Sequence, residues 1–307
     1  MKTERYYQVE QDNLFSREIY HPLDIIYSLK IAVYLCVVAI GVWGVLKLDG
    51  WYILAMQVLL GAVYAHGIEL THQALHLTGF SNKRMNRFFG VLMGIPMLVS
   101  FSGYQDSHFY HHQNVGTPKD NEFFNYGNRN SLHIWDLITH FFLINHFIGF
   151  LKCAWISFST KEFQCKILKD KSSKIKNEYR IISILFFGAL LYTMLSENLI
   201  LISIWLVPVF VFSAPIHALI ELPEHYGCNS NSKSYLENTR TIQSNAFMTW
   251  FTNGNNFHVE HHLRPAAPIE KLKDVHNEIG VGEKITYKNK TYREFYIGFI
   301  KDFFSKK

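Results

Sequence analysis

Four long apolar runs decide what this chain can fold into. Ile31 to Leu46, "IAVYLCVVAIGVWGVL", carries no charge and is bracketed by Lys30 and Lys47. As a helix rising about 1.5 Å per residue it spans roughly 24 Å. That is short for a bilayer core, but flanking lysines can reach the interface by snorkelling. Trp51 to Ala65 is a similar run, separated from the first by "KLDG", in which Asp49-Gly50 reads as a turn. The pattern recurs at Ile181 to Leu195 and Leu199 to Ile220, joined by the polar "SEN" at 196 to 198. Pro208 and Pro215 are expected to bend the last of these helices. One isolated run of this length would fit a buried core helix of a soluble protein equally well. Two pairs with matching polar turns point instead to two transmembrane hairpins.

Charge then orients the hairpins. Of the 30 Lys and Arg residues, only Lys47 falls in a segment that the hairpins place on the far side. By the positive-inside rule both termini, and everything outside the hairpins, face the cytoplasm. The N-terminal stretch "MKTERYYQVEQDNLFSREIYHP" is polar and lacks the apolar core of a signal peptide, so no cleaved leader is expected. Cys36, Cys153, Cys165 and Cys228 have no Cys-x-x-Cys spacing, which argues against a disulfide framework or a thiolate metal site.

Two further segments are apolar but interrupted. Phe88 to Phe101 contains Pro96, and Leu137 to Phe158 includes His140, His146 and Lys152. Both read as interfacial or partly dipping helices. Lys161 to Arg180 holds seven basic and three acidic residues, a composition that suits contact with anionic lipid or a solvated linker helix equally. The fold expected is an all-α membrane protein of about four transmembrane helices in two hairpins, with a cytoplasmic helical cap.

The 16 histidines are not scattered at random. Nine fall into four clusters: His72 and His76 in "HQALH"; His108, His111 and His112 in "HFYHH"; His225 in "ELPEHYG"; and His258, His261 and His262 in "HVEHH". The first and third clusters sit where hairpin helices return to the cytoplasm, and the fourth lies shortly beyond. All four reach one membrane face only if Phe88 to Phe101 does not cross.

On a helix, positions i and i+4 lie about 40° apart, so His72 and His76 can reach toward one point. In His-x-x-His-His the last two histidines lie about 100° apart and straddle the first. That arc is wide for one ion and suits two adjacent ones. Imidazole favours iron, copper, zinc or nickel, and a nitrogen-dominated site with open positions can use iron for oxygen chemistry. His21, His133, His140, His146 and His276 stand outside the clusters and read as ordinary polar residues.

"HQALH", "HFYHH" followed by "GTPKDNEFF", "EHYG" and "NNFHVEHHLRPAAPIEKL" resemble the histidine boxes of the integral-membrane fatty acid desaturase and alkane hydroxylase superfamily. The likeness covers roughly residues 25 to 280, within a single membrane domain read over 1–307. It implies a cytoplasm-facing non-haem di-iron centre that activates O2 and removes hydrogen from an unactivated carbon chain. Carried over by position, it makes His72, His76, His108, His111, His112, His225, His258, His261 and His262 the iron ligands. Glu224, Asn255 and Glu260 become partners of the ligating rings, since such rings usually donate their other nitrogen to an acceptor.

The sequence also departs from the family. Gln73 stands where an acidic residue often follows the first histidine. The three residues between His72 and His76 resemble the acyl-lipid and alkane hydroxylase branches more than the acyl-CoA desaturases. His258, where many front-end desaturases carry Gln, disfavours that subfamily. No fused haem-binding or rubredoxin-type motif is evident, so electrons are expected from a separate ferredoxin, rubredoxin or cytochrome-type protein. The expected function is membrane-bound acyl desaturation, on an acyl-lipid, acyl-carrier-protein or acyl-CoA substrate, with alkyl or lipid hydroxylation at the same site as the alternative. Membrane lipids are expected neighbours and nucleic acid is not. Two other classes fit less well. A His-Glu-x-x-His zinc protease would need its base where Gln73 stands. A metal transporter would place ionisable ligands within the spans, where this reading finds only His217.

Overall fold

The computed structural model describes residues 21–120, 134–278 and 284–305. The polar N-terminal stretch before His21, and His133, lie outside the described residues. The chain divides into two compact units. Among the described residues, a spanning unit holds 24–110 and 134–221, and a C-terminal unit holds 111–120, 222–278 and 284–305 with 21–23.

In the spanning unit, α1 (Asp24–Lys47) and α2 (Trp51–Leu75) form the first hairpin. Gly50 closes it with φ 57°, a left-handed conformation that costs glycine little. Helix α2 runs ten residues past the apolar run that ends at Ala65. This extension, which carries Glu69 and His72, is buried throughout. Its polar side chains face protein, so a hydropathy reading stops too early. Helix α3 (Lys83–Gly94) begins at Asn82, whose side chain accepts from the Arg84 N–H, and stops just before Pro96. Helix α4 (Phe101–Asn114) starts after the break. Neither is long and apolar enough to span. Helices α5 (Ile134–Phe141) and α6 (Ile144–Phe158) are bent by 55° where they meet, the form of a broken span or re-entrant loop.

The second long pair is α7 (Ser172–Ser196) and a segment running from Ile202 to α8 (Ala214–His225). The bend expected from its prolines takes another form. Ile202–Leu206 and Pro208–Ser213 are π-helical, and the segment runs on as one 24-residue span to His225. Wide turns leave carbonyls in need of donors. Gln57 Nε2 donates to the Ser203 carbonyl at 3.1 Å and Tyr64 Oη to that of Ile204 at 2.9 Å. Gly61 lets α2 approach this segment, since a Cβ there would lie 2.4 Å from Phe212 Cβ.

Four helices are thus long and apolar enough to cross a membrane: Asp24–Lys47, Trp51–Leu75, Lys169–Ser196 and Ile202–His225. Large apolar side chains such as Leu29, Ile40, Trp43, Ile184 and Leu195 stand exposed along them, which suits lipid and would be costly in water. Trp51 and Tyr52 are exposed at the tip of the first hairpin, as side chains of a membrane-interface belt are.

The C-terminal unit is built from short pieces: α9 (Tyr235–Asn238), β1 (Arg240–Ile242), α10 (Ala246–Phe251), α11 (His258–Leu263), α12 (Leu272–Asn277), β2 (Tyr287–Asn289) and α13 (Tyr292–Ser305). Strands β1 and β2 pair in parallel, Arg240 opposite Tyr287. At Gly254, φ is 79°, and a Cβ would lie 2.4 Å from Ile269 Cγ2. Glycine there allows the tight turn that delivers Asn255 and α11.

Candidate metal centre

In the spanning unit, α2 presents His72 in its last turn and His76 at its C-cap, and α4 presents His108. His108 Nε2 lies 2.9 Å from His72 Nε2 and 3.0 Å from His76 Nε2. Helix α4 is held at its start by Glu178 of α7. This carboxylate accepts from the Ser102 N–H (2.8 Å) and from the hydroxyls of Ser100 (2.7 Å) and Ser102 (2.9 Å), and pairs with Arg87 at 2.5 Å. Further along α4, Asp106 accepts from the N–H groups of Lys166, Ile167 and Leu168. The axial position of His108 is therefore set by charge-assisted bonds.

The C-terminal unit gathers His111, His225, His258 and His262, all buried. Nε2 of His225 lies 3.2 Å from that of His111 and 3.1 Å from that of His258, and His258 Nε2 lies 3.2 Å from His262 Nε2. The outward nitrogens explain this convergence. His225 Nδ1 donates to the Asn238 carbonyl at 3.0 Å, and His111 Nδ1 to the Asp120 carboxylate at 3.1 Å. Asn255 donates its amide N–H to Glu224 Oε1 at 2.6 Å, so its carbonyl oxygen faces His258 Nδ1 at 3.0 Å and accepts the proton there. In its neutral form each of these rings then carries its proton on Nδ1 and a lone pair on Nε2. Three lone pairs facing one another at these separations repel unless an electrophile lies among them. Two nitrogens bonded at about 2.1 Å and 90° apart on one metal ion stand about 3.0 Å from each other, which fits the spacings seen.

His262 is kept neutral as well. Its pKa is pushed well below the ordinary imidazole value, by burial first and then by the neighbouring His112, His258, His111 and His225. His112 and His261 form a separate close pair in this unit, Nε2 to Nε2 at 3.1 Å, and the Tyr235 hydroxyl donates to the His112 carbonyl.

Of the three residues named as partners of ligating rings, Asn255 and Glu224 stand at His258. Glu260 does not. It lies about 200° around α11 from His258, where Oε2 accepts from the Thr241 hydroxyl at 2.6 Å and Oε1 from His276 Nδ1 at 2.5 Å. Glu260 therefore ties α11 to β1 and α12, and His276, outside the clusters, is part of that tie. The sequence reading missed Asp120, although "GTPKDNEFF" was part of the resemblance. It also missed Arg240, which donates to the carbonyls of Pro223 and Tyr226 and so clamps the turn carrying Glu224 and His225. Among the other histidines, His146 Nε2 donates to the Met97 carbonyl at 2.8 Å. Deep in the spans, His217 lies 3.0 Å from Glu221 and 3.5 Å from Glu69.

Long apolar helices combined with clustered imidazoles that could hold a metal ion are what a membrane metal-dependent enzyme would need. Residues 49–296 match the Fatty acid desaturase family, and the chain belongs to it. It is also similar to the dihydrorhizobitoxine desaturase of Bradyrhizobium elkanii, with 27% identity over 295 residues that cover 88% of this chain and 80% of that protein. Membership makes the chain a desaturase-type oxidoreductase, and with four candidate spans an integral membrane protein.

Proposed function

We propose that this chain is a membrane-bound di-iron fatty acyl desaturase, which introduces a double bond into an acyl chain using O2 and electrons from a separate protein. The observation that supports this reading best is the convergence of His111, His225, His258 and His262, the first three with their Nδ1 protons turned outward. On this reading these four hold one iron, and His72, His76 and His108 of the spanning unit are ligands of a second.

When bound, the iron pair supplies oxygen activation and the removal of hydrogen from an unactivated carbon chain. The protein's own contribution is positional. Asp120, the Asn238 carbonyl and Asn255 keep a proton on each Nδ1, so that Nε2 stays available, and they fix the ring planes. Burial of the same rings keeps bulk water from the reacting groups.

The positive-inside distribution supports a cytoplasmic centre and cytoplasmic termini. Both the acyl carrier, whether lipid, carrier protein or coenzyme A, and a ferredoxin, rubredoxin or cytochrome-type donor would approach from that side. The test is expression of the chain with such a donor system, followed by lipid analysis. New unsaturated acyl species are expected. New hydroxylated species would reassign the chain as a hydroxylase, and an unchanged lipid profile from iron-replete protein would overturn the acyl reading.

A further inference from the structure

Glu224 stands in an unusual place for a residue that only orients a ring. Its Oε1 accepts from Asn255, as an orienting partner's would, but its Oε2 lies 3.3 Å from His258 Nε2, the nitrogen turned toward the other imidazoles. His258 Nδ1 already gives its proton to Asn255, so Nε2 of the neutral ring has none to offer the carboxylate. A second proton on that ring would not resolve the contact. Nε2 of His225 (3.1 Å), Nε2 of His262 (3.2 Å) and Glu224 Oε2 all crowd the same nitrogen, and one N–H can serve one of them well. One cation among them serves all. An oxygen and a nitrogen bonded at about 2.1 Å and roughly 105° apart on one ion stand about 3.3 Å from each other.

The carboxylate is also held for this task. Glu224 lies in the turn between the Pro223 and Tyr226 carbonyls, both bound by Arg240, and the Arg240 guanidinium stacks 4.9 Å from the Phe295 ring. With Oε1 fixed by Asn255, Oε2 has little freedom to turn away.

We infer that Glu224 is itself a ligand of the metal ion held by His111, His225, His258 and His262, contributing one anionic oxygen to an otherwise all-imidazole set. This rests on the metal-centre reading above. A carboxylate would lower the net charge of that ion's site and make it harder than the other, so the two ions would differ in affinity and spectrum.

The experiment uses the purified full-length protein in detergent, stripped of metal and titrated anaerobically with Co(II), whose d–d absorption reports ligand type and number. Wild type is expected to bind two Co(II) per chain with distinguishable spectra. Glu224→Gln keeps an oxygen that can accept from Asn255 but removes the anionic ligand. It should lose one Co(II), or weaken it more than about 100-fold, and change the d–d bands of that ion alone. Asn255→Ala removes the contacts that orient His258 and Glu224 but no ligand, and should weaken binding about 10–100-fold while both Co(II) ions still bind. Two Co(II) in Glu224→Gln with wild-type affinity and bands would overturn the inference and leave the metal centre standing. Failure of wild type to bind Co(II) would overturn both. Should Glu224→Gln not fold, the infrared difference between Co(II)-loaded and metal-free wild type decides: a shifted carboxylate stretch supports ligation, and its absence overturns it.

Discussion

Asp120 holds His111 by accepting its Nδ1 proton, with both carboxylate oxygens 3.1 Å from the ring nitrogen. Of the acceptors behind His111, His225 and His258, this one is a full carboxylate. It makes Nε2 of His111 a better donor as well as fixing its direction. Asp120→Ala is therefore expected to weaken metal binding about 10–100-fold. Asp120→Asn, which still offers one acceptor oxygen, should lose less. Equilibrium titration of the stripped protein with Fe(II) under nitrogen measures both, and equal affinity in all three proteins would show that Asp120 does not support the site.

His225 is the one histidine among the proposed ligands that lies outside a multi-histidine box, and the easiest to mistake for a bystander. Its Nε2 lies close to those of both His111 and His258. His225→Ala and His258→Ala should each lower iron per chain and abolish turnover while the protein still elutes as a folded species. His140→Ala removes a buried ring that lies outside the boxes, in the helix Ile134–Phe141. It should lose some thermal stability but keep its iron. Elemental analysis of the three proteins side by side checks the division, and iron loss in His140→Ala would break it.

The histidine boxes were legible in the sequence because ligand spacing is local: His72 and His76 share a helix face whatever else the chain does. The spans were legible because long charge-free runs have few other solutions. Acceptors and anchors were less so. Asp120 sits eight residues past His112 in a turn, and the Asn238 acceptor is a main-chain carbonyl that any residue type would supply. Glu260 misled because adjacency along the chain is not adjacency in space, since position 260 falls on the face of α11 away from 258 and 262. Glu69 was hidden because α2 stays helical and buried beyond its apolar run, bringing a second carboxylate to His217.

Glu178 links α7 to the start of α4 through three hydrogen bonds and to α3 through Arg87, and it is 3% exposed. Glu178→Ala would leave the Ser100 hydroxyl and the Ser102 N–H and hydroxyl without this acceptor, and Arg87 with the Ser102 hydroxyl oxygen in place of a carboxylate. A fully buried charge pair broken on one side costs about 3–5 kcal/mol. Arg87 is 37% exposed and can turn to water, so about 1–3 kcal/mol is the better expectation. The thermal midpoint in detergent should fall accordingly, and Glu178→Gln should fall less because it still accepts from Ser102. An unchanged midpoint in Glu178→Ala would remove this network from the supports of His108.

The break at Pro96 carries a topological consequence. Helix α3 has 12 residues, and at about 1.5 Å per residue it covers roughly 18 Å, too short to cross. Helix α4 starts afresh at Phe101 with a polar face that includes its histidines. Were the stretch from α3 to α4 to cross the bilayer, the first two boxes would open on opposite sides and could not serve one centre. Cysteines introduced at Met85 and Ser107, in a background without the native cysteines, should therefore react with a membrane-impermeant maleimide from the same side. A cysteine at Asp49, in the tip of the first hairpin, should react from the other. Labelling of positions 85 and 107 from opposite faces would refute the four-crossing arrangement, and with it the assignment of His72 and His108 to a common site.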